Sequence, residues 1–167
     1  MNQVDRTPSA KAPFWIILAT FVIALLLNMV PYPQWMKYAK PDWVMLVLFY
    51  WCLAVPHRIG IGCGWLAGIA LDILYYSLLG QHAVGKAFVA LIAVSTHRRV
   101  PLYDLWQQCI LVFIVASIDI GFTIWVYQLT ANTEIRLVFW QSALTSCLIW
   151  PVVYNVLRVL RHRTGIS

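Results

Sequence analysis

Two carboxylates stand inside long apolar runs, and their residue type raises the first question of chemistry. Asp72 ends the stretch Gly60-Ile-Gly-Cys-Gly64-Trp-Leu-Ala-Gly68-Ile-Ala-Leu-Asp72, and Asp119 lies within Ala116-Ser-Ile-Asp-Ile-Gly-Phe-Thr123. Two carboxylates that share a proton can perform aspartyl proteolysis. Intramembrane enzymes of that kind typically carry a Gly-x-Gly-Asp signature, which neither Leu71-Asp72 nor Ile118-Asp119 supplies. Proton-coupled transport is a second chemistry open to such acids, since ionisable groups in lipid often line ion paths. The commoner role is structural, because a carboxylate in hydrocarbon must face protein and find a partner. Lys86 is the nearest candidate: on helices, Asp72 sits about 12 Å below Gly80, and Lys86 about 5–8 Å below the same end. The two are expected to meet and brace their helices.

The glycines before Asp72 suggest how close those helices come. Gly60, Gly64, Gly68 and Asp72 recur every four residues and share one slowly drifting helical face. Small residues let helices approach closely where lipid is as apolar as their side chains. Ala116 and Thr123 share the face of Asp119 in the same way. These seams are expected to receive a partner's transmembrane helix or a second copy of the chain.

Other chemistry has no matching pattern. Cys52, Cys63, Cys109 and Cys147 lie in apolar runs without a Cys-x-x-Cys pair and read as small residues compatible with lipid. His57, His82 and His97 lie at joints and His162 near the end, with no second ligand at metal-site spacing. Neither Gly-x-Ser-x-Gly nor a P-loop occurs, and no strand precedes Gly60-x-Gly62-x-Gly64 to make it a dinucleotide fingerprint. The expectation is no catalytic residue, no metal and no cofactor.

The elements that must position the acids follow from composition. The chain has 167 residues, 62% apolar and 11% charged, with a mean hydropathy of +0.75. Soluble domains average about 25% charged and 45–50% apolar residues. The apolar residues fall into blocks at 14–30, 43–55, 59–80, 83–96, 105–131 and 137–157. The pattern predicts an all-α, polytopic membrane protein: one domain over 1–167, with transmembrane helices at about 14–30, 41–57, 60–79, 82–96, 105–131 and 137–157. The first, preceded by Arg6 and Lys11, reads as an uncleaved signal anchor. Pro41 can start the second helix and Pro56 is expected to fall within its extension.

The blocks at 43–55 and 83–96 are short for a bilayer, so basic residues decide whether they cross. With six crossings and both termini inside, Arg6, Lys11, Arg58, Arg98, Arg99, Arg158, Arg161 and Arg163 fall on the cytoplasmic side, which is eight of the twelve Lys and Arg. If one short block stayed on one side, every later basic cluster would change compartment. The net charge of +6 therefore sits at membrane edges, which excludes one continuous nucleic-acid-binding face. The basic C-terminal residues set topology and can touch anionic lipid at about 1 kcal/mol per charge. Trp15, Trp43, Tyr103, Trp106 and Trp140 lie near block ends, where amphipathic rings anchor helices at the headgroups.

The stretch Pro41-Asp-Trp43-Val-Met-Leu-Val-Leu-Phe-Tyr50-Trp51-Cys-Leu-Ala-Val-Pro56-His57-Arg58, followed by the glycine run, Gly68-Ile-Ala-Leu-Asp72 and Leu79-Gly80, resembles the rod shape-determining protein MreD family of Gram-negative bacteria. Leu105-Trp-Gln-Gln108, Phe139-Trp140 and Trp150-Pro151 add to the likeness, which covers most of the chain. The resemblance implies a multi-pass inner-membrane, non-enzymatic scaffold supporting side-wall peptidoglycan synthesis. Its implied partners are MreC, the MreB filament machinery, and the RodA glycosyltransferase with its penicillin-binding transpeptidase. It also implies a fold similar to the six-helix substrate-binding subunits of vitamin transporters, and no catalytic residue. Pro41, Trp43, Pro56, Arg58, Gly68, Asp72 and Gly80 match recurring family positions, and the resemblance gives them helix packing and partner contact. From another functional class, a small transport or substrate-binding membrane subunit would place Asp72, Asp119 and nearby aromatics around a ligand.

Overall fold

Apolar blocks have few side chains that compete for backbone hydrogen bonds, so their N–H and C=O groups close on one another as helices. The computed structural model describes residues 14–31, 33, 39–131 and 140–164, apart from the side chains of 127, 130 and 131. Among the described residues are six α-helices, a 3-10 turn at Val100–Leu102 and no strand. The helices are α1 (Phe14–Met29), α2 (Trp43–Ala54), α3 (Ile61–Leu74), α4 (Gln81–Thr96), α5 (Leu105–Ala131) and α6 (Trp140–Thr164). Arg6, Lys11 and the start of the block at 137 lie outside the described residues.

Four helix ends depart from the sequence expectation, the first three for a local reason. Pro41 stays outside α2, because Asp42 is the N-cap and its side chain accepts the Met45 amide at 3.0 Å. Pro56 does not extend α2 either: the Val55 amide bonds back to Trp51 and the chain turns before Ile61. Helix α3 stops at Leu74, short of 79, because Asp72 gathers the following residues into a turn. Helix α6 runs past 157 to Thr164, so Arg158, Arg161 and Arg163 lie on it.

Hydrogen bonds between helices fix their directions. At one end, the Lys40 ammonium donates to the Asn28 carbonyl at the close of α1 and to the Tyr75 hydroxyl after α3. Ser142 at the start of α6 donates to the Lys40 carbonyl at 2.6 Å. At the other end, the Trp51 indole donates to Thr20 at 2.9 Å, and the Trp150 indole to Gln108 at 3.3 Å. Gln108 in turn donates to the carbonyls of Val100 and Tyr103. Consecutive helices therefore run in opposite directions. The second end carries Arg58, Arg98, Arg99, Arg158, Arg161 and Arg163 and is the arginine end. The first, built around Lys40 and Asp42, is the acidic end.

Helix α2 lies at the centre. Every residue from Val44 to Leu53 is buried, as expected of a helix that is apolar all round. Helices α1, α4 and α6 pack on it, α3 packs on α4, and α5 packs on both α4 and α6. Trp150 meets Phe49 edge-on at 5.4 Å, and Tyr154 meets Tyr50 at 5.8 Å, contacts worth about 0.5–1.5 kcal/mol each beyond their area.

The distribution of polarity differs from that of a soluble bundle. Trp15, Leu26, Leu66, Trp106, Leu129, Leu148 and Val156 face outward, whereas Asp72, Lys86, Gln108, Asp119 and Ser146 are buried. Helices α5 and α6 are long and apolar enough to cross a membrane; α1, α2 and α3 are shorter apolar helices. An apolar exterior around an apolar core that also encloses a few buried charges suits lipid as the solvent.

Candidate functional site

The buried charged groups fall into two separate clusters at the acidic end, apart from the Thr20 and Gln108 contacts at the other end. The larger is centred on Lys86, whose side chain is 0% exposed. Its ammonium donates to Asp119 Oδ2 at 2.5 Å and to Asp42 Oδ2 at 2.6 Å. Asp42 is shared further: Oδ1 caps α2 at Met45, and its amide donates to Ser146 Oγ on α6 at 3.1 Å. One lysine and two carboxylates thus join α2, α4 and α5, with α6 tied in through Ser146. Gly85 makes the cluster sterically feasible, since a Cβ there would overlap Asp119 Oδ1. That Oδ1 is itself buried without a hydrogen-bond partner among the described residues, as are Gln81 Nε2 and Trp43 Nε1.

The second cluster is local to the α3–α4 turn. Asp72 accepts from Ser77 Oγ at 3.0 Å, the Gly80 amide at 2.8 Å and the His82 amide at 2.9 Å, and its Oδ1 lies 2.8 Å from His82 Nδ1. Gly80 enters α4 with φ +106°, a conformation that glycine adopts without a Cβ penalty. The start of α4 has unpaired amides and the positive end of its dipole, so it suits a carboxylate.

These contacts correct the expectation that Asp72 pairs with Lys86. Asp72 is filled by donors within its own turn, while Lys86 reaches to α2 and α5. They also correct the role of the glycine seam. A Cβ at Gly64 would come within 2.6 Å of the Lys86 carbonyl, and one at Gly68 within 2.7 Å of the His82 carbonyl and still closer to Ala83. The face of Gly64, Gly68 and Asp72 is therefore occupied by α4 of the same chain, not open to a partner helix. Gly60 caps α3 outside this contact, with open space where a Cβ would stand.

The remaining sequence-selected positions are dispersed. Pro41 is buried beside Asp42, Trp43 opens α2, and Pro56 and the exposed Arg58 lie in the α2–α3 joint. Asp42, Gly85 and Ser146 were not singled out by sequence reasoning. The signal for Asp42 is Pro-Asp-Trp directly before an apolar run, an N-cap pattern. Gly85 and Ser146 acquire meaning only from the residues that face them.

Outside the helices, burial holds the half-buried Lys40 ammonium below the usual lysine pKa, opposed by the charge of Asp42. Near the arginine end, Arg161 lies beside the Tyr50 hydroxyl. The four cysteines are free, and no group of three His, Cys, Asp or Glu among the described residues is placed to hold a metal. Chemically, the Lys86 ammonium offsets part of the charge of two carboxylates and joins the helices that carry them.

The family model for the rod shape-determining protein MreD matches residues 9–160. The rod shape-determining protein MreD of Haemophilus influenzae (strain ATCC 51907 / DSM 11121 / KW20 / Rd) is 33% identical over 153 residues, covering 90% of this chain and 93% of that protein. No solved structure matches the chain. A family match over nearly the whole length, on a helical bundle with an apolar exterior, places this chain in the MreD family of rod shape-determining proteins.

Proposed function

We propose that this membrane protein acts in rod-shape determination as a six-crossing, non-enzymatic scaffold of the inner membrane, supporting side-wall peptidoglycan synthesis. Family membership carries the shape role. The alternating helix directions support six crossings, a layout like that of the vitamin-transporter substrate-binding subunits. The arginine end then faces the cytoplasm by the positive-inside rule, with both termini on that side. The Lys86 cluster supports a structural role, because its ammonium is engaged by two carboxylates inside the bundle.

In this reading the partners are MreC, the MreB filament machinery, and RodA with its transpeptidase. They meet faces other than the Gly64–Gly68 seam, which α4 already covers. A second copy of the chain would likewise dock through the outward apolar faces of α1, α5 or α6. Depletion of the protein in its own host tests the function. Rounded, swelling cells rescued by the intact gene are expected; normal rods with a nutrient requirement cured by a vitamin would make it a transport subunit. A reporter fused after Ser167 should be active in the cytoplasm, and activity only in the periplasm would overturn the layout.

A further inference from the structure

We propose that the tip of the α3–α4 hairpin is a lipid-contacting surface, seated at the boundary between acyl chains and headgroups opposite the arginine end. It would not extend into water. Three observations converge on this, and the inference rests on the proposed crossing layout, which sets α3 and α4 across the bilayer and decides which leaflet is involved.

The first is length. Helix α3 has 14 residues and α4 has 16, so they rise about 21 and 24 Å, against about 30 Å of hydrocarbon. Helices α5 and α6, with 27 and 25 residues, reach about 40 and 37 Å. The hairpin is held at its open end by Arg58 before α3 and by Arg98 and Arg99 after α4, which belong at the headgroups. Anchored there, its tip stops near the far edge of the hydrocarbon, and the bilayer must thin locally to meet it.

The second is what the tip exposes. Between Asp72 and His82 the sequence is Ile-Leu-Tyr-Tyr-Ser-Leu-Leu-Gly-Gln, without a charge. Tyr76 is 98% exposed and Leu79 76%, with Ile73 and Leu78 also outward. The joints at the other end instead present His57, Arg58, Arg98, Arg99 and Asp104.

The third is where the polar groups go. The Ser77 amide donates to the Asp72 carbonyl, the Gly80 and His82 amides donate to its carboxylate, and the Gln81 amide donates to Leu78. A turn in water has no need to internalise its donors in this way. A turn at the edge of hydrocarbon does.

A spin label tests the inference on the full-length chain in dioleoylphosphatidylcholine nanodiscs, with the four native cysteines replaced by alanine. At Leu79→Cys the label should collide more readily with oxygen than with a water-soluble nickel chelate, and at Arg163→Cys the preference should reverse. Lipids with fourteen-carbon chains should shift the Leu79 label toward nickel. Equal nickel access at both sites would overturn the proposal. So would a Leu79 label that is water-exposed in nanodiscs but protected in cells, because a protein would then be the occupant. If the cysteine-free chain fails to fold, Leu79→Lys in the native chain serves instead: several-fold lower accumulation is expected, and native accumulation and melting would overturn it.

Discussion

Asp72 and Asp119 look alike in the sequence, each a lone acid in an apolar run near small residues, yet the molecule uses them oppositely. Asp72 is satisfied within ten residues of chain by donors from a single turn. Asp119 depends on an ammonium delivered by another helix, which also serves Asp42 on a third. One acid closes a hairpin; the other determines whether three helices stay together. A buried carboxylate therefore has two kinds of role here, and the difference lies in how far away its donors originate.

Removing the long-range donor should produce the largest effect. Lys86→Met leaves Asp42 and Asp119 facing each other without a cation, and loss of one partner of a buried ionic cluster costs about 3–5 kcal/mol. Thermal unfolding in detergent should show a large fall in midpoint, partly recovered when Asp42→Asn and Asp119→Asn are added. A double-mutant cycle between Lys86 and Asp119 should give a coupling of about 0.5–3 kcal/mol. The same cycle between Lys86 and Asp72 should give none. Coupling in the second cycle alone would reverse the comparison.

Next comes the seam that carries the Asp72 hairpin. Gly68→Ala would place a methyl against the backbone of Ala83 and the carbonyl of His82, neither of which can rotate away. Overpacking of this kind costs about 1–3 kcal/mol, and backbone contact puts this site near the top. The melting midpoint checks it. A fall as small as that expected for Gly60→Ala would mean that α3 and α4 are not in such close contact.

Asp72→Asn should cost less, about 1–3 kcal/mol, because an amide keeps one acceptor but turns a donor toward the neighbouring amides. Its distinguishing mark is location. Amide hydrogen exchange should rise in peptides covering 72–82 and stay unchanged in α2 and α5, whereas Asp119→Asn should loosen α2, α4 and α5 together. Spread of the Asp72→Asn effect into α2 would break the distinction between a local and a long-range acid.

The same distinction decides what was legible in the sequence. Helical class, the extent of α5, and the burial of Asp72, Lys86 and Asp119 follow from local pattern and the cost of charge in lipid. Pairing does not follow, because it depends on how α4 is rotated against α2 and α5. The spacing that placed Lys86 near Asp72 along the axis says nothing about that rotation. The ends of α2 and α3 were misplaced for a related reason: Asp42 and Asp72 each accept backbone donors that an apolar-block reading ignores. Gly85 was invisible because its role is defined by Asp119, 34 residues further on.

The smallest expected effect tests the seam at its own limit. Periodicity groups Gly60 with Gly64 and Gly68, but the structure places it at the N-cap of α3 in extended backbone, with nothing near a Cβ. Gly60→Ala should therefore lose only the modest cap preference, less than the roughly 1 kcal/mol typical of cap substitutions. The melting midpoint should move slightly and the exchange of peptides from α4 not at all. A cost equal to that of Gly68→Ala would mean that another helix, from a partner or a second copy, sits over Gly60 in the membrane, and that the seam extends beyond the hairpin after all.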